Sequence, residues 1–169
     1  MTAPDPTTAR HSTEPARRRA GLAEVLLRVV AAAGLAYDAY SHFDLAGTYE
    51  GSGGAITQAT LFRIEAVLAV LAALGVLLVR RKIVTFAALL VAAGGLAVLL
   101  LYRYVDVGVL GPLPNMYEPV WYPKKTWSAI SMAVASLALL ILLLRRSPGP
   151  NGAKNASKRG NLRPPVTPP

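Results

Sequence analysis

Two stretches decide how this chain is read: IVTFAALLVAAGGLAVLLLY at residues 83–102 and TWSAISMAVASLALLILLL at residues 126–144. Neither holds a charged residue, and each is long enough, at about 20 residues, to cross a hydrocarbon layer ~30 Å thick as a helix. Outward from them, two further apolar stretches, 22–43 and 58–79, carry only a few charges toward their ends. In hydrocarbon a backbone must satisfy its own hydrogen bonds, which leaves helices or a closed barrel. The long runs lack the alternation of barrel strands. The sequence therefore predicts an all-α membrane protein, a four-transmembrane-helix bundle with helices at about 21–43, 58–79, 83–105 and 126–145. An aromatic and proline-rich extracellular loop, about 106–125, joins helices 3 and 4. The chain has 169 residues, 53% of them hydrophobic, which supplies one bundle and no separate soluble domain.

The net charge of +9 is distributed in a way that argues against nucleic acid as a partner. Arg10, Arg17, Arg18 and Arg19 precede the first span, and Arg80, Arg81 and Lys82 join the second to the third. Arg145, Arg146, Lys154, Lys158, Arg159 and Arg163 follow the fourth. All of these fall on one side of a four-crossing chain. The positive-inside rule makes that side the cytoplasm, with both termini there and the plasma membrane as the location. The terminal segments, 1–20 and 146–169, are polar and proline-rich, and read as disordered cytoplasmic tails.

The first span imitates a secretory signal: arginines, an apolar stretch, then small residues at 31–36. Glu24 and Arg28 interrupt that apolar region, and the pattern continues to Phe43. A retained helix is the expectation, with Glu24 and Arg28, four apart, paired on one face. Cleavage is the alternative, and it leaves the same orientation.

With no cysteine, the chain has no disulfide, zinc-thiolate site or iron–sulfur cluster. His11 lies in a polar tail, so a bis-histidine haem cannot be built from one chain; haem, iron–sulfur and zinc-thiolate sites are not expected, and the sequence names no other cofactor. Ionisable groups within spans are costly and usually have a reason. Here they gather toward the outer third: Asp38 and His42 at the end of helix 1, Arg63 and Glu65 early in helix 2, Arg103 and Asp106 at the end of helix 3. Asp38 and His42 share a face. Glu65 shares its face with Ala69, Ala72 and Ala73, while Arg63 lies with Val67, Val70, Leu74 and Leu77. Small residues let membrane helices approach, so Glu65 is expected inside the bundle and Arg63 at the headgroups. Arg103 is the expected partner of Glu65. Asp38, His42, Glu65 and Arg103 thus form a candidate polar network or ligand site, and no metal-ligand spacing is present.

Pro112, Pro114, Pro119 and Pro123 forbid a regular helix in the long loop. Tyr117, Trp121 and Tyr122 suit the headgroup boundary. They read either as an interfacial anchor or as a lid over an outward-facing site. Residues 36–46 (AYDAYSHFDLA), 58–66 (QATLFRIEA) and 113–123 (LPNMYEPVWYP) resemble a group of uncharacterised four-helix membrane proteins of high-GC Gram-positive bacteria. The layout alone is similar to DoxX-like proteins, some of which are linked to quinone or sulfur oxidation. That likeness carries no catalytic residue.

The leading expectation is a non-enzymatic accessory or scaffold subunit. Its partners are the lipid bilayer and either another membrane protein or further copies of itself. The alternative is a redox-linked or small-ligand (quinone-like) binding component that uses the cluster beneath the 106–125 loop.

Overall fold

The computed structural model describes residues 14–51 and 55–145, all-helical apart from turns, the long loop and one isolated bridge. Residues 1–13, 52–54 and 146–169 lie outside the described residues, and with them 13 of the 20 residues of the expected N-terminal tail and all of the expected C-terminal one. Helix α1 is Glu14–Ala46, extended by a 3-10 turn at Gly47–Tyr49; α2 is Gln58–Leu78, α3 Lys82–Tyr104 and α4 Pro123–Leu144. The two middle helices match the expected limits to within one residue.

The outer two differ at their starts. Residues 14–20, expected in a disordered tail, are the first turns of α1. Pro15 lies in the first turn, where proline is tolerated, and the arginines and alanines that follow are strong helix formers. Helix α4 begins three residues early because Pro123 occupies its first turn, its fixed φ suited to helix initiation. Lys124 and Lys125, assigned to the loop by the sequence reading, are therefore helical. At the start of α2, Thr57 Oγ1 accepts the Thr60 amide at 3.2 Å and caps an orphan donor.

The helices run up and down in chain order. Helix α1 packs on α2 and α4, and α3 packs on α4 and α2, closing the ring. The core is built of small residues: Ala31, Ala32 and Ala39 of α1, Ala69 and Ala73 of α2, Ala88 and Ala92 of α3, Ala135 and Ala138 of α4. These let backbones approach. The approach is tightest where Gly34 of α1 meets α4: a Cβ there would lie 2.7 Å from the Ser131 carbonyl oxygen and 3.0 Å from Ala135 Cβ. The larger aliphatics point outward, among them Val67, Val70, Leu74 and Leu77 on the Arg63 side of α2. All four helices are long and apolar enough to cross a membrane.

The two ends of the bundle differ. At the end that holds the α2–α3 turn, basic side chains close helix C-termini. Arg28 Nη1 donates to Val76 O at 2.8 Å and Val79 O at 3.4 Å, its Nε donates to Glu24 Oε1 at 3.1 Å, and Lys82 Nζ donates to Leu143 O at 3.3 Å. A cation there satisfies orphan carbonyls and opposes the negative end of the helix dipole.

At the other end the long loop is fastened to the bundle. The Ile56 amide donates to Pro112 O at 3.3 Å and the Glu118 amide to Tyr102 O at 3.1 Å. A tight turn at residues 110–113 places Gly111 at φ 58°, a conformation that glycine adopts without a Cβ clash. Asp106 Oδ1 accepts the Gly108 amide at 3.1 Å and Asn115 Nδ2 at 3.0 Å, so the loop is braced from within.

Candidate functional site

Beneath that loop lies a cavity of about 630 Å³. Its side walls are α2 (Gln58, Leu61, Phe62, Ile64, Glu65, Leu68) and α3 (Leu90, Val91, Gly94, Gly95, Val98, Leu99, Leu101, Tyr102). Ser41, His42 and Leu45 of α1 and Lys125 and Ser128 of α4 stand behind, and Leu113, Met116, Glu118 and Tyr122 of the loop close the end. The size falls in the roughly 300–1,000 Å³ range of small-molecule sites, and so does the composition, mostly apolar walls with a few convergent polar groups.

The polar groups form two sets. In the first, Asp38 is wholly buried. Its Oδ1 lies 3.1 Å from His42 Nδ1 and accepts the Ser128 hydroxyl at 2.8 Å, which ties α1 to α4. His42 Nδ1 is also 3.0 Å from the Asp38 carbonyl oxygen, and its ring meets Phe62 edge-on at 5.2 Å. Glu65 is within electrostatic reach of both Asp38 and His42. Its Oε1 is buried and has no hydrogen-bond partner, as is also true of Asp38 Oδ2. Glu65 rests against α3 at Gly95, where a Cβ would lie 2.7 Å from Oε1; the missing side chain makes room for the carboxylate.

The second set sits at the loop end. Lys125, 8% exposed, donates to Glu118 O at 2.6 Å and lies 3.7 Å from Glu118 Oε2, which also accepts the Tyr49 hydroxyl at 3.1 Å. The Lys125 ammonium is about 6 Å from the rings of Trp121 (6.0 Å) and Tyr122 (5.9 Å). Burial, with Tyr49 and Glu118 alongside, pushes the Tyr122 phenol up, so it remains a neutral hydrogen-bonding group.

The four residues singled out by sequence are thus split. Asp38 and His42 meet as their spacing implied, and Glu65 joins their neighbourhood on the inward face of α2. Arg103 does not pair with Glu65. Glu65 abuts Gly95, and from there to Arg103 the helix climbs about 12 Å at ~1.5 Å per residue. The Arg103 guanidinium instead stacks over Tyr104 at 5.0 Å and Trp121 at 5.4 Å, and its Nε is buried without a partner. Arg63 is exposed and pairs with Glu50.

Of the three aromatic residues read as a lid, Tyr122 lines the cavity, while Tyr117 and Trp121 face outward. Ser128, Lys125 and Glu118 were not singled out in advance. A hydroxyl such as that of Ser128, facing a carboxylate from another helix, leaves no local signal in the sequence. Among the described residues no three His, Asp or Glu side chains converge as a metal site. Comparison with protein-family models, curated proteins and solved structures gives no match.

Proposed function

We propose that the chain is a multi-pass plasma-membrane protein, with both termini in the cytoplasm, that binds a small amphiphilic molecule in the cavity between α2 and α3 without transforming it. The observation that carries this reading is Glu65: a half-buried carboxylate on the wall of a cavity of about 630 Å³, its Oε1 packed against Gly95 without a hydrogen-bond partner. A buried carboxylate needs a proton or a partner, and the cavity supplies room for one beside it. The orientation rests on charge. Arg18, Arg19, Arg80, Arg81, Lys82 and Arg145 all lie toward the end opposite the long loop.

The accessory or scaffold reading draws on a different observation. The Asp38–Ser128 bond joins α1 to α4 and has a packing role of its own. The two readings are compatible if the ligand-bearing bundle is one subunit of a larger assembly. The likeness to DoxX-like proteins stays one of layout, and a quinone-like head is one member of the ligand class rather than its definition.

Native mass spectrometry of the full chain, released gently from membrane, tests the proposal. A small molecule retained in fixed ratio by the wild type and lost from a folded Glu65→Ala variant is the expected result. Retention of the same species by both proteins moves the ligand away from this cavity.

A further inference from the structure

The cavity is closed toward the loop and open toward the side. Its loop end is sealed by Leu113, Met116 and Tyr122, with the chain pinned by the Ile56–Pro112 and Glu118–Tyr102 hydrogen bonds. By contrast, several of its wall residues are also surface residues: Leu90 is 58% exposed, Ile64 51% and Val98 49%. They form the outward seam between α2 and α3, on the part of the surface that hydrocarbon covers in a bundle of this kind. Gly94 lies on this wall too, and a Cβ added there meets nothing within 4 Å. The way in is therefore lateral, from the bilayer, and an entering molecule must be dissolved in lipid.

Charge then selects the head of that molecule. The acidic groups in and just behind the cavity are Asp38, Glu65 and Glu118; the cationic ones are Lys125, Arg103 beside it over Trp121 and about 12 Å along α3 from the level of Glu65, and, when protonated, His42. Lys125 is committed to Glu118. If His42 is protonated it serves Asp38, and if neutral it leaves Asp38 uncompensated as well. In either state Glu65 has no cation of its own; its Oε1 and Asp38 Oδ2 are both without a partner, and of the two residues only Glu65 lines the cavity. A carbonyl-bearing neutral head could draw on the Gln58 amide and the phenols of Tyr102 and Tyr122, but it would leave the Glu65 carboxylate without a donor. Phe62, Tyr102 and Tyr122 add aromatic walls, which favour cations over anions.

From this geometry we infer that the ligand of the α2–α3 cavity is a lipid-soluble ammonium compound, a hydrocarbon-tailed molecule with a protonated amine head, which enters sideways between the helices and sets its nitrogen against Glu65. The inference rests on the cavity being a binding site, as proposed above, and adds the chemical class and the route. The recognition is a charge-assisted hydrogen bond in a low-dielectric setting, stronger than its neutral counterpart.

The test uses the full chain in phosphatidylcholine nanodiscs and compares dodecylamine, dodecanol, dodecanoate and a neutral decyl-substituted quinone. Wild-type protein is expected to bind dodecylamine at least about tenfold more tightly than the neutral probes, with dodecanoate weakest. Glu65→Gln is expected to bring the amine down to the level of dodecanol. Gly94→Leu, which fills the seam, is expected to abolish binding of every probe. Phosphatidylethanolamine added to the discs separates two sources of the same head. If it displaces dodecylamine, a lipid ammonium is the occupant; if it does not, a free single-chain amine is.

Equal binding of all four probes, or preference for the quinone or for dodecanoate, overturns the ammonium assignment while leaving the cavity as a site. No saturable binding of any probe to the wild type, or binding untouched by Gly94→Leu, overturns the site itself. Should Glu65→Gln fail to fold, the ranking of the four probes on the wild type decides alone.

Discussion

Arg28 and Glu65 are both ionisable side chains turned inward on helices long enough to cross a bilayer, and the fold treats them oppositely. Arg28 is 9% exposed, and three acceptors surround it: the Glu24 carboxylate and the carbonyls of Val76 and Val79. Its charge does a structural task, closing the C-terminus of α2. Glu65 sits toward the other end beside a cavity, with one buried oxygen facing no donor. A saturated buried charge is explained by the fold that surrounds it. An unsaturated one beside a cavity has room to receive a partner from outside the fold.

The contrast is sharpest in mutants, and Arg28→Ala carries the largest expected effect. It strands two helix-terminal carbonyls, and a loss of about 2–3 kcal/mol is expected when unfolding is followed by SDS titration in mixed micelles. The part owed to Glu24, which is partly exposed, is the smaller share. Binding per folded molecule should not change. A binding defect in Arg28→Ala would mean that the two ends are coupled and the comparison too simple.

Two glycines extend the same contrast. At Gly34 the obstacle to a Cβ is backbone, the Ser131 carbonyl oxygen at 2.7 Å, so α1 and α4 must separate. Gly34→Ala is expected to lower stability by about 1–3 kcal/mol in the same titration. At Gly95 the obstacles are the flexible ends of side chains, Glu65 Oε1 at 2.7 Å and Met132 Sδ at 3.1 Å, which can yield. Gly95→Ala should cost less than about 1 kcal/mol yet displace the carboxylate, weakening dodecylamine binding severalfold in nanodiscs. If Gly95→Ala unfolds as readily as Gly34→Ala, the carboxylate is a packing element after all.

The smallest effect belongs to Arg63→Ala. An exposed pair with Glu50 contributes within about 0.5 kcal/mol, and thermal unfolding should barely shift.

What could be read from the sequence follows the range of each interaction. Asp38 with His42 and Glu24 with Arg28 are four residues apart, so helix geometry alone brings them together. The inward face of α2 was legible too, because Glu65 shares it with Ala69, Ala72 and Ala73 while bulky aliphatics occupy the face of Arg63. Contacts between helices were not. Ser128 reaches Asp38 across the bundle, and Arg28 reaches Val76, with no periodicity to signal either. The expected Glu65–Arg103 pair failed for a related reason. A sequence gives position along each helix only relative to that helix's own ends, and the relative height of α2 and α3 depends on their packing. Lys125 is hidden for another reason: in a proline-rich stretch Pro123 looks like a loop residue, whereas at that position it starts a helix.

The central claim is that Glu65 serves a ligand and not the fold. Its most direct test is the unfolding free energy of Glu65→Gln beside wild type, by SDS titration in mixed micelles with no amphiphilic probe added. The account predicts a stability equal to or slightly above that of the wild type, since an unpartnered, half-buried carboxylate is exchanged for a neutral amide of the same shape. A loss of about 2 kcal/mol or more would contradict it, because the carboxylate would then be holding the bundle together.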